Sequence, residues 1–126
     1  MNTTQAVPAP PGKFSRMYPI TIGDSRLLFI SGLVASGETP QGVGPQTERV
    51  FERIRLLLAE ANAELKHIVK LTVILANMDD YAEYNAVRNR VFAESGMPPA
   101  STAFEGRLVA PEYLIEIEAI AIAPSV

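Results

Sequence analysis

The sequence predicts an α+β fold in which two helices cover one face of a mixed sheet. Five segments have the composition or the alternation of strands, and two have apolar residues at helical spacing. Their order is β-β-α-β-α-β-β, and a helical crossover between strands implies parallel pairing within the sheet. The length of 126 residues fits a single domain, 1–126, because two domains of half this length would each bury only a small core.

The chain begins with an arm and a hairpin. Three prolines among residues 1–12 disfavour helix and lack the donors of a central strand, so this part is expected to be an extended arm. Residues 14–22 and 27–31 are rich in β-favouring side chains, and the turn-forming residues 23–26 between them predict a hairpin. The glycines and the proline of residues 32–44 then predict a long loop.

The middle of the chain is predicted to form a helix and a strand. Apolar residues from Val50 to Ala61 recur at helical spacing, so an amphipathic helix is expected from about Pro45. Residues 67–76 alternate with a period of two, which predicts a strand with two largely apolar faces. One face is assigned His67, Val69, Leu71, Val73 and Leu75, and the other Ile68, Lys70, Thr72 and Ile74.

A second helix is expected after Asn77, whose side chain suits an N-cap. Asp79 and Asp80 fall in the first turn, where negative charge is favourable. Helical spacing continues until Gly96 and Pro98, which are expected to end the helix.

Two further strands, residues 101–108 and 113–123, complete the sheet. In the last strand, Glu116 and Glu118 share a face with Ile120 and other apolar residues. Two helices can cover only one face of such a sheet, so an apolar surface larger than monomers usually show would stay exposed. Oligomerisation is the expected remedy.

The composition excludes several classes of protein. With no cysteine and a single histidine, His67, the chain has no thiolate nucleophile and cannot build a multi-histidine metal site, and we expect no metal or cofactor. The net charge of −3 is the wrong sign for neutralising phosphates, so nucleic acid is not an expected partner. No segment has the pattern of a secretory signal or a membrane span, and we expect a cytoplasmic protein without membrane contact.

Glu116 and Glu118 are the most informative candidates for chemistry, because two carboxylates lie among apolar neighbours. One interpretation is structural, as a solvated edge pair or a salt bridge with an arginine. The other is that one glutamate lies in a cleft between subunits. Desolvation there would raise its pKa and let it exchange a proton with water or a substrate nitrogen.

Arg107, predicted on the strand before the glutamates, has the planar guanidinium that binds a carboxylate ligand. The alternative role is structural. Glu105 lies two residues away on the same predicted face and is a candidate ion-pair partner.

Five motifs in chain order carry a family resemblance. They are Phe29-Ile30-Ser31-Gly32, Gln46-Thr47, Ile68-Val69-Lys70-Leu71-Thr72-Val73, Met78-Asp79-Asp80-Tyr81 with Asn85, and Glu116-Ile117-Glu118-Ala119-Ile120-Ala121. Over nearly the whole chain they resemble the Rid/YjgF family, which includes the 2-iminobutanoate/2-iminopropanoate deaminases. The resemblance implies a chorismate-mutase-like α+β domain that assembles as a homotrimer, with ligand clefts between subunits.

The resemblance also implies a set of site residues. Glu116 corresponds to the glutamate that holds or activates water in the family, and Ser31 and Asn85 correspond to a serine and an asparagine that line the cleft. Phe14 stands at the position where many members have a tyrosine, because Gly12-Lys13-Phe14-Ser15 corresponds to their Gly-Pro-Tyr-Ser, so that hydroxyl is missing. The Pro11-Gly12-Lys13-Phe14 segment is closer to the 2-aminomuconate deaminase branch.

The chain departs from the family at the arginine that grips the substrate carboxylate. Where the deaminases read Pro-Ala-Arg-Ser, this chain reads Met97-Pro98-Pro99-Ala100-Ser101-Thr102. The arginine position falls on Ala100 in one register and on Ser101 in the other, and neither is an arginine. Arg107 or Lys13 is then the candidate for the missing positive charge.

Two functions follow from the resemblance. The first is binding of a small carboxylated or amine-bearing metabolite in the intersubunit cleft, with hydrolysis of an enamine or imine to a ketoacid and ammonia at Glu116. The implied substrates are of the 2-iminopropanoate/2-aminoacrylate or the 2-aminomuconate type. The second is a non-catalytic sensor or interaction protein on the same trimer, which the absent arginine favours.

Overall fold

A computed structural model describes residues 7–8 and 14–125 of the chain. The strands in this part are β1 (Val7–Pro8), β2 (Ser15–Ile22), β3 (Ser25–Leu33), β4 (Ile68–Leu75), β5 (Ala100–Glu105) and β6 (Ile115–Pro124). The helices are α1 (Val43–Glu60) and α2 (Tyr81–Val91), and short 3-10 turns at Leu65–His67 and Met78–Asp80 precede β4 and α2. Apart from Val7–Pro8, the predicted arm lies outside the described residues, as does Lys13.

The strands form one mixed sheet in the order β1-β2-β3-β6-β4-β5. β4 and β5 are parallel and are joined through α2, whereas every other neighbouring pair is antiparallel. The predicted α+β class and the parallel pair are confirmed. Pairing of β6 between β3 and β4 places the last strand, with its two glutamates, at the centre of the sheet.

The hairpin turn is tighter than the sequence predicts. Ile22 pairs with Ser25, so Gly23 and Asp24 alone form the turn, and the expected four-residue turn is wrong. Gly23 has a φ of 56°, the left-handed conformation that two-residue turns between twisted strands require. β3 also continues through Gly32 to Leu33, so the following loop is shorter than expected.

A β-bulge at the start of β4 changes the predicted faces of that strand. Ile68 lies opposite Ala121 and Lys70 opposite Ile120, so Val69 is an extra residue in the ladder. The bulge rotates Ile68 onto the buried face with Leu71, and its assignment to the face of Lys70 is wrong.

Two element ends also differ from the predictions. β5 stops at Glu105, so Arg107 lies in the following loop rather than on a strand. α2 ends at Val91, several residues before Gly96, and Phe92 to Ser95 form turns. Asn77 is an N-cap, as predicted, but it caps the 3-10 turn Met78–Asp80 that precedes α2. Its side chain accepts a hydrogen bond from the Asp79 amide at 2.9 Å.

The core lies between the two helices and one face of the sheet. Along β6, Ile115, Ile117, Ala119 and Ala121 are buried, while Glu116 and Glu118 alternate with them on the other face, as predicted. The buried stripe of α1 consists mainly of Val50, Phe51, Ile54, Leu57 and Leu58. It packs over β3 and β6 and beside α2.

The other face of the sheet carries none of the described helices. It exposes large apolar side chains: Tyr18, Ile20 and Ile22 of β2, Phe29 of β3, Phe104 of β5 and Ile122 of β6. This face is called the uncovered face below, and its apolar character confirms the prediction. Neither helix within residues 14–125 is long and apolar enough to cross a bilayer.

Candidate functional site

A cavity of about 300 Å³ lies on the uncovered face, over β2, β3, β6 and β4. The side chains that give it its chemistry are Tyr18, Phe29, Ser31, Lys70, Thr72 and Glu118. The lining combines aromatic rings with hydroxyl groups, a carboxylate and an ammonium group, a composition typical of small-molecule sites. We refer to it as the open-face cavity.

Strand register brings these side chains together from distant parts of the chain. Phe29 lies opposite Ile120, which in turn lies opposite Lys70. In the next row on the same face, Glu118 lies opposite Thr72. Side chains that are directly opposite or diagonal on one face are close enough to share a ligand.

Ser31 also lines the open-face cavity. The β3–β6 register shifts between Ile30 and Leu33, so Ser31 and Gly32 together occupy the space beside Glu118. The Ser31 hydroxyl donates a hydrogen bond of 2.6 Å to the Ser15 carbonyl. This bond fixes the side chain at the edge of the cavity and leaves its oxygen able to accept.

Glu116 lies beside the cavity, on the same face of β6 as Glu118, and is half-buried. Burial raises the pKa of the Glu116 carboxyl, and the charge of Glu118 raises it further. A Cβ on Gly32 would lie 2.2 Å from Glu116 Oε2, so the carboxylate in its present position occupies space that a side chain at residue 32 would need. None of the cations in the described part of the chain forms an ion pair with it.

Lys70 supplies the positive charge in the cavity. Its Nζ donates hydrogen bonds to the Leu71 carbonyl at 3.3 Å and to Thr102 Oγ1 at 3.2 Å. Thr102 pairs with Thr72, which faces Glu118. The Lys70 ammonium group is therefore directed along the sheet toward the cross-strand row that contains Thr102, Thr72 and Glu118.

The two candidate arginine positions lie on opposite faces of edge strand β5. Ala100 pairs with Lys70 and Ser101 with Leu71. Ser101 adjoins the buried phenol of Tyr84 on the helix-covered side. Burial raises the Tyr84 pKa, and the neighbouring Ser101 and Arg88 side chains offset part of the effect.

Two further predicted residues lie away from the open-face cavity within one chain. Asn85 is on α2, on the helix-covered side, and its side-chain oxygen accepts a hydrogen bond from Arg88. Phe14 directly precedes β2 and is 58% exposed. Neither lines the cavity.

Arg107 lines a second cavity, of about 530 Å³, formed by the loop between β5 and β6. The suggested ion pair with Glu105 does not form: Glu105 Oε1 instead accepts a hydrogen bond from the Met78 amide at 2.8 Å. The buried side chain of Gln46 fixes this loop with two hydrogen bonds. It donates one to the Glu112 carbonyl at 2.9 Å and accepts one from the Leu114 amide at 2.8 Å.

Four side chains of the open-face cavity were not predicted as site residues: Tyr18, Phe29, Lys70 and Thr72. Phe29 entered the sequence analysis only as part of a motif. Tyr18 supplies a phenol on β2 four residues after Phe14, where the missing hydroxyl was noted. Lys70 and Thr72 were assigned to one face of β4 but given no role. Their signal was polarity on an otherwise apolar strand, because a polar side chain among apolar neighbours is more informative than an exposed apolar one.

Fold and site together define a class: a small α+β protein with a cavity of mixed polarity on the sheet face that its two helices leave open. Residues 4–123 match the profile of a family described as Endoribonuclease L-PSP. A RutC family protein of Pyrococcus abyssi is 37% identical over 123 residues, covering 94% of this chain and 92% of the relative. The 2-iminobutanoate/2-iminopropanoate deaminase of Mus musculus is 31% identical over 127 residues, covering 97% of this chain and 89% of the relative.

Solved structures agree with these relatives. The crystal structure of a YjgF family member from Neisseria meningitidis matches with a TM-score of 0.83 at 30% identity, covering 97% of this chain and 96% of that chain. The chain therefore belongs to the Rid/YjgF family, whose profile carries the description Endoribonuclease L-PSP. The resemblance predicted from the sequence motifs is confirmed.

Proposed function

We propose that the protein hydrolyses small enamines and imines to a ketoacid and ammonia, in clefts between the subunits of a homotrimer. The observation that carries the proposal is Glu116, half-buried beside Glu118 on the uncovered face and not ion-paired with any described cation. Burial raises its pKa toward neutral pH, where a general acid-base group works best.

The reaction needs one water, and Glu116 relays one proton in each of its two steps. A water held by Glu116 adds to the carbon of the C=N bond, and the carboxylate accepts the water proton and passes it to the nitrogen, which gives a carbinolamine. In the second step the carboxylate accepts the hydroxyl proton of the carbinolamine as the C=O bond forms and passes it to the amino nitrogen, which leaves as ammonia. The sum is imine plus water giving ketoacid plus ammonia.

Two observations support a small substrate. The mouse relative is named for 2-iminobutanoate and 2-iminopropanoate. The open-face cavity, at about 300 Å³, is at the small end of ligand sites. The longer dicarboxylate 2-aminomuconate is the alternative substrate type.

The homotrimer is supported by the apolar side chains that surround the cavity. Contact between copies would remove Ile20, Ile22 and Ile122 from water, which is favourable for association. The cleft would also receive residues from a neighbouring copy. Asn85 and Arg107, which lie outside the open-face cavity of one chain, would reach a ligand in this way.

Ketoacid release from 2-aminoacrylate or 2-iminobutanoate, generated within the assay, tests the proposed reaction. We expect the wild type to exceed the rate in buffer and Glu116→Gln to lose about a hundredfold or more, the usual size of a general acid-base contribution. Glu38→Gln, at an exposed position, is the matched control and should keep the wild-type rate. Equal rates for wild type and Glu116→Gln would contradict the role of Glu116.

A non-catalytic ligand-binding protein on the same scaffold is the second candidate, and Ala100 favours it. This exposed residue on β5 stands at one of the two positions where the resemblance places arginine in the deaminases. The same assay separates the candidates. If the wild type does not exceed buffer while Ala100→Arg or Ser101→Arg gains activity, ligand binding without turnover replaces hydrolysis as the function.

RNA cleavage, the activity in the description of the family profile, is not the function we propose. The chain has a net charge of −3, and the open-face cavity contains Glu118 with Glu116 beside it. A surface that binds RNA needs an excess of positive charge to neutralise phosphates.

A further inference from the structure

We propose that Lys70 binds the carboxylate of the ligand in the open-face cavity and so supplies the charge that neither Ala100 nor Ser101 can supply. The inference rests on the proposed function for the identity of the ligand, a small carboxylated imine or its ketoacid product. It assigns to this chain a specific anchor that differs from both Arg107 and Lys13.

The first argument is the donor inventory of the ammonium group. Lysine Nζ has three N–H donors, and the structure uses two of them, toward the Leu71 carbonyl and Thr102 Oγ1. Within residues 14–125, Lys70 forms no ion pair with a carboxylate. Lys70 is therefore a half-buried cation with one unused N–H donor in the wall of a cavity. An anion is the ligand that would pair with this charge.

The second argument is the space around that group. In the parallel ladder, the residue beside Lys70 on edge strand β5 is Ala100, whose methyl group covers little of the neighbouring strand. Thr102, on the same face of β5, holds the ammonium group by its hydroxyl. A long side chain at position 100 would compete for the space that a ligand carboxylate needs.

The third argument is charge balance within the cavity. Glu118 lines the same cavity, and a negatively charged ligand would be repelled from a site with an acid and no cation. Lys70 removes this conflict, since it leans toward the row of Thr72 and Glu118.

A binding measurement separates this inference from the catalytic proposal. The probes are 2-oxobutanoate, which is a stable ketoacid, and its primary amide, which has the same shape without the charge. Binding is followed by NMR titration of wild type, Lys70→Met, Lys70→Gln and Lys70→Arg. Lys66→Met is the matched control, because Lys66 is exposed and pairs with Glu64 away from the cavity.

We expect the wild type to prefer the carboxylate over the amide, and Lys70→Met and Lys70→Gln to lose about ten- to a hundredfold in affinity for the carboxylate alone. Lys70→Arg should retain the preference, and Lys66→Met should match the wild type. Unchanged carboxylate preference in a folded Lys70→Gln protein would overturn the inference, as would a wild type that binds neither probe. If binding depends on Lys70 but the wild type releases no ketoacid from imines, the anchor stands and the hydrolysis proposal fails.

Discussion

Arg26 is a buried guanidinium that joins three parts of the fold. It is 1% exposed, its Nε donates to the Pro124 carbonyl at 3.0 Å, and an Nη donates to the Ala61 carbonyl at 2.7 Å. Ala61 follows the last residue of α1, where carbonyl oxygens lack helical partners and carry partial negative charge. The burial of this cation is thus balanced by carbonyl groups rather than by a carboxylate.

We predict that Arg26→Met destabilises the chain by about 2–4 kcal/mol, because the buried Ala61 carbonyl and the part-buried Pro124 carbonyl would lose their donors. Urea unfolding followed by circular dichroism measures the change. Arg55→Met is the matched control: Arg55 pairs with Glu52 in solvent on α1, so its unfolding midpoint should stay at the wild-type value. Equal midpoints for the two variants would contradict the structural role of Arg26.

Glu116 should make stability depend on pH in a definite direction. Burial, assisted by Glu118, raises its pKa in the folded chain, so between the unfolded and folded pKa values the native state binds more protons than the unfolded state. Stability is therefore highest below the unfolded pKa and falls as the pH rises through the folded pKa.

Glu116→Gln removes this contribution, so its stability relative to wild type should increase between pH 4 and pH 7. The gain should stay below about 1 kcal/mol, because the carboxyl is still partly solvated. Unfolding curves across that pH range measure it, with Glu38→Gln as the matched control. Parallel pH profiles for Glu116→Gln and wild type would contradict the desolvation argument.

At the scale of elements, irregular strand ends shape the site and the core beside it. The register shift after Ile30 brings Gly32 against Glu116, and the bulge at Val69 places Ile68 in the core while Lys70 stays on the uncovered face. Regular ladders would have placed these residues differently, since one extra residue moves a side chain to the opposite face.

Gly32→Ala should impair the function more than the fold. The new Cβ would lie 2.2 Å from Glu116 Oε2, and the flexible carboxylate would move aside at small cost in stability. A displacement of about 1 Å can cost about a hundredfold in rate, so we expect a loss of that order in ketoacid release with little change in the unfolding midpoint.

Gly44→Ala provides a closely matched comparison for that variant. A Cβ there would lie 2.5 Å from Glu83 Oε2, which accepts a hydrogen bond from the Gly44 amide at 3.0 Å. The clash is of the same kind but lies at the start of α1, away from the open-face cavity. Activity should stay at the wild-type level in Gly44→Ala. Equal losses in both glycine variants would mean that the effect on Gly32→Ala is not local to Glu116.

The sequence predicted the regular parts of the helices and strands but not the irregular ends of the strands. Helical spacing predicted α1, and alternation predicted which faces of β6 carry Ile117 and Glu116, because these patterns are properties of a single element. The bulge at Val69 depends on which residues of β6 lie opposite, and no local pattern contains that information. For the same reason Glu116 was found from its own strand, whereas Lys70 became a site residue only once the register of three strands was known.

At the scale of the whole molecule, one surface carries both the candidate site and the exposed apolar side chains. The helices cover one face of the sheet, and the uncovered face combines the polar open-face cavity with exposed isoleucines on β2 and β6. In the proposed trimer, apolar contact between copies would also enclose the ligand. Assembly would exclude water from the reacting C=N bond and strengthen the charge interactions of Lys70 and Glu116.

We predict that the wild type is a trimer at micromolar concentration and that Ile122→Asp converts it to a folded monomer. Ile122 is 43% exposed on the uncovered face, and a buried, unpaired carboxylate there would oppose contact between copies. Leu56→Asp is the matched control, because Leu56 is 53% exposed on the solvent side of α1. Light scattering after size exclusion gives the mass of each protein, and circular dichroism confirms that each is folded. A monomeric wild type would contradict the intersubunit cleft, and a trimeric Ile122→Asp would place the contact on a different surface.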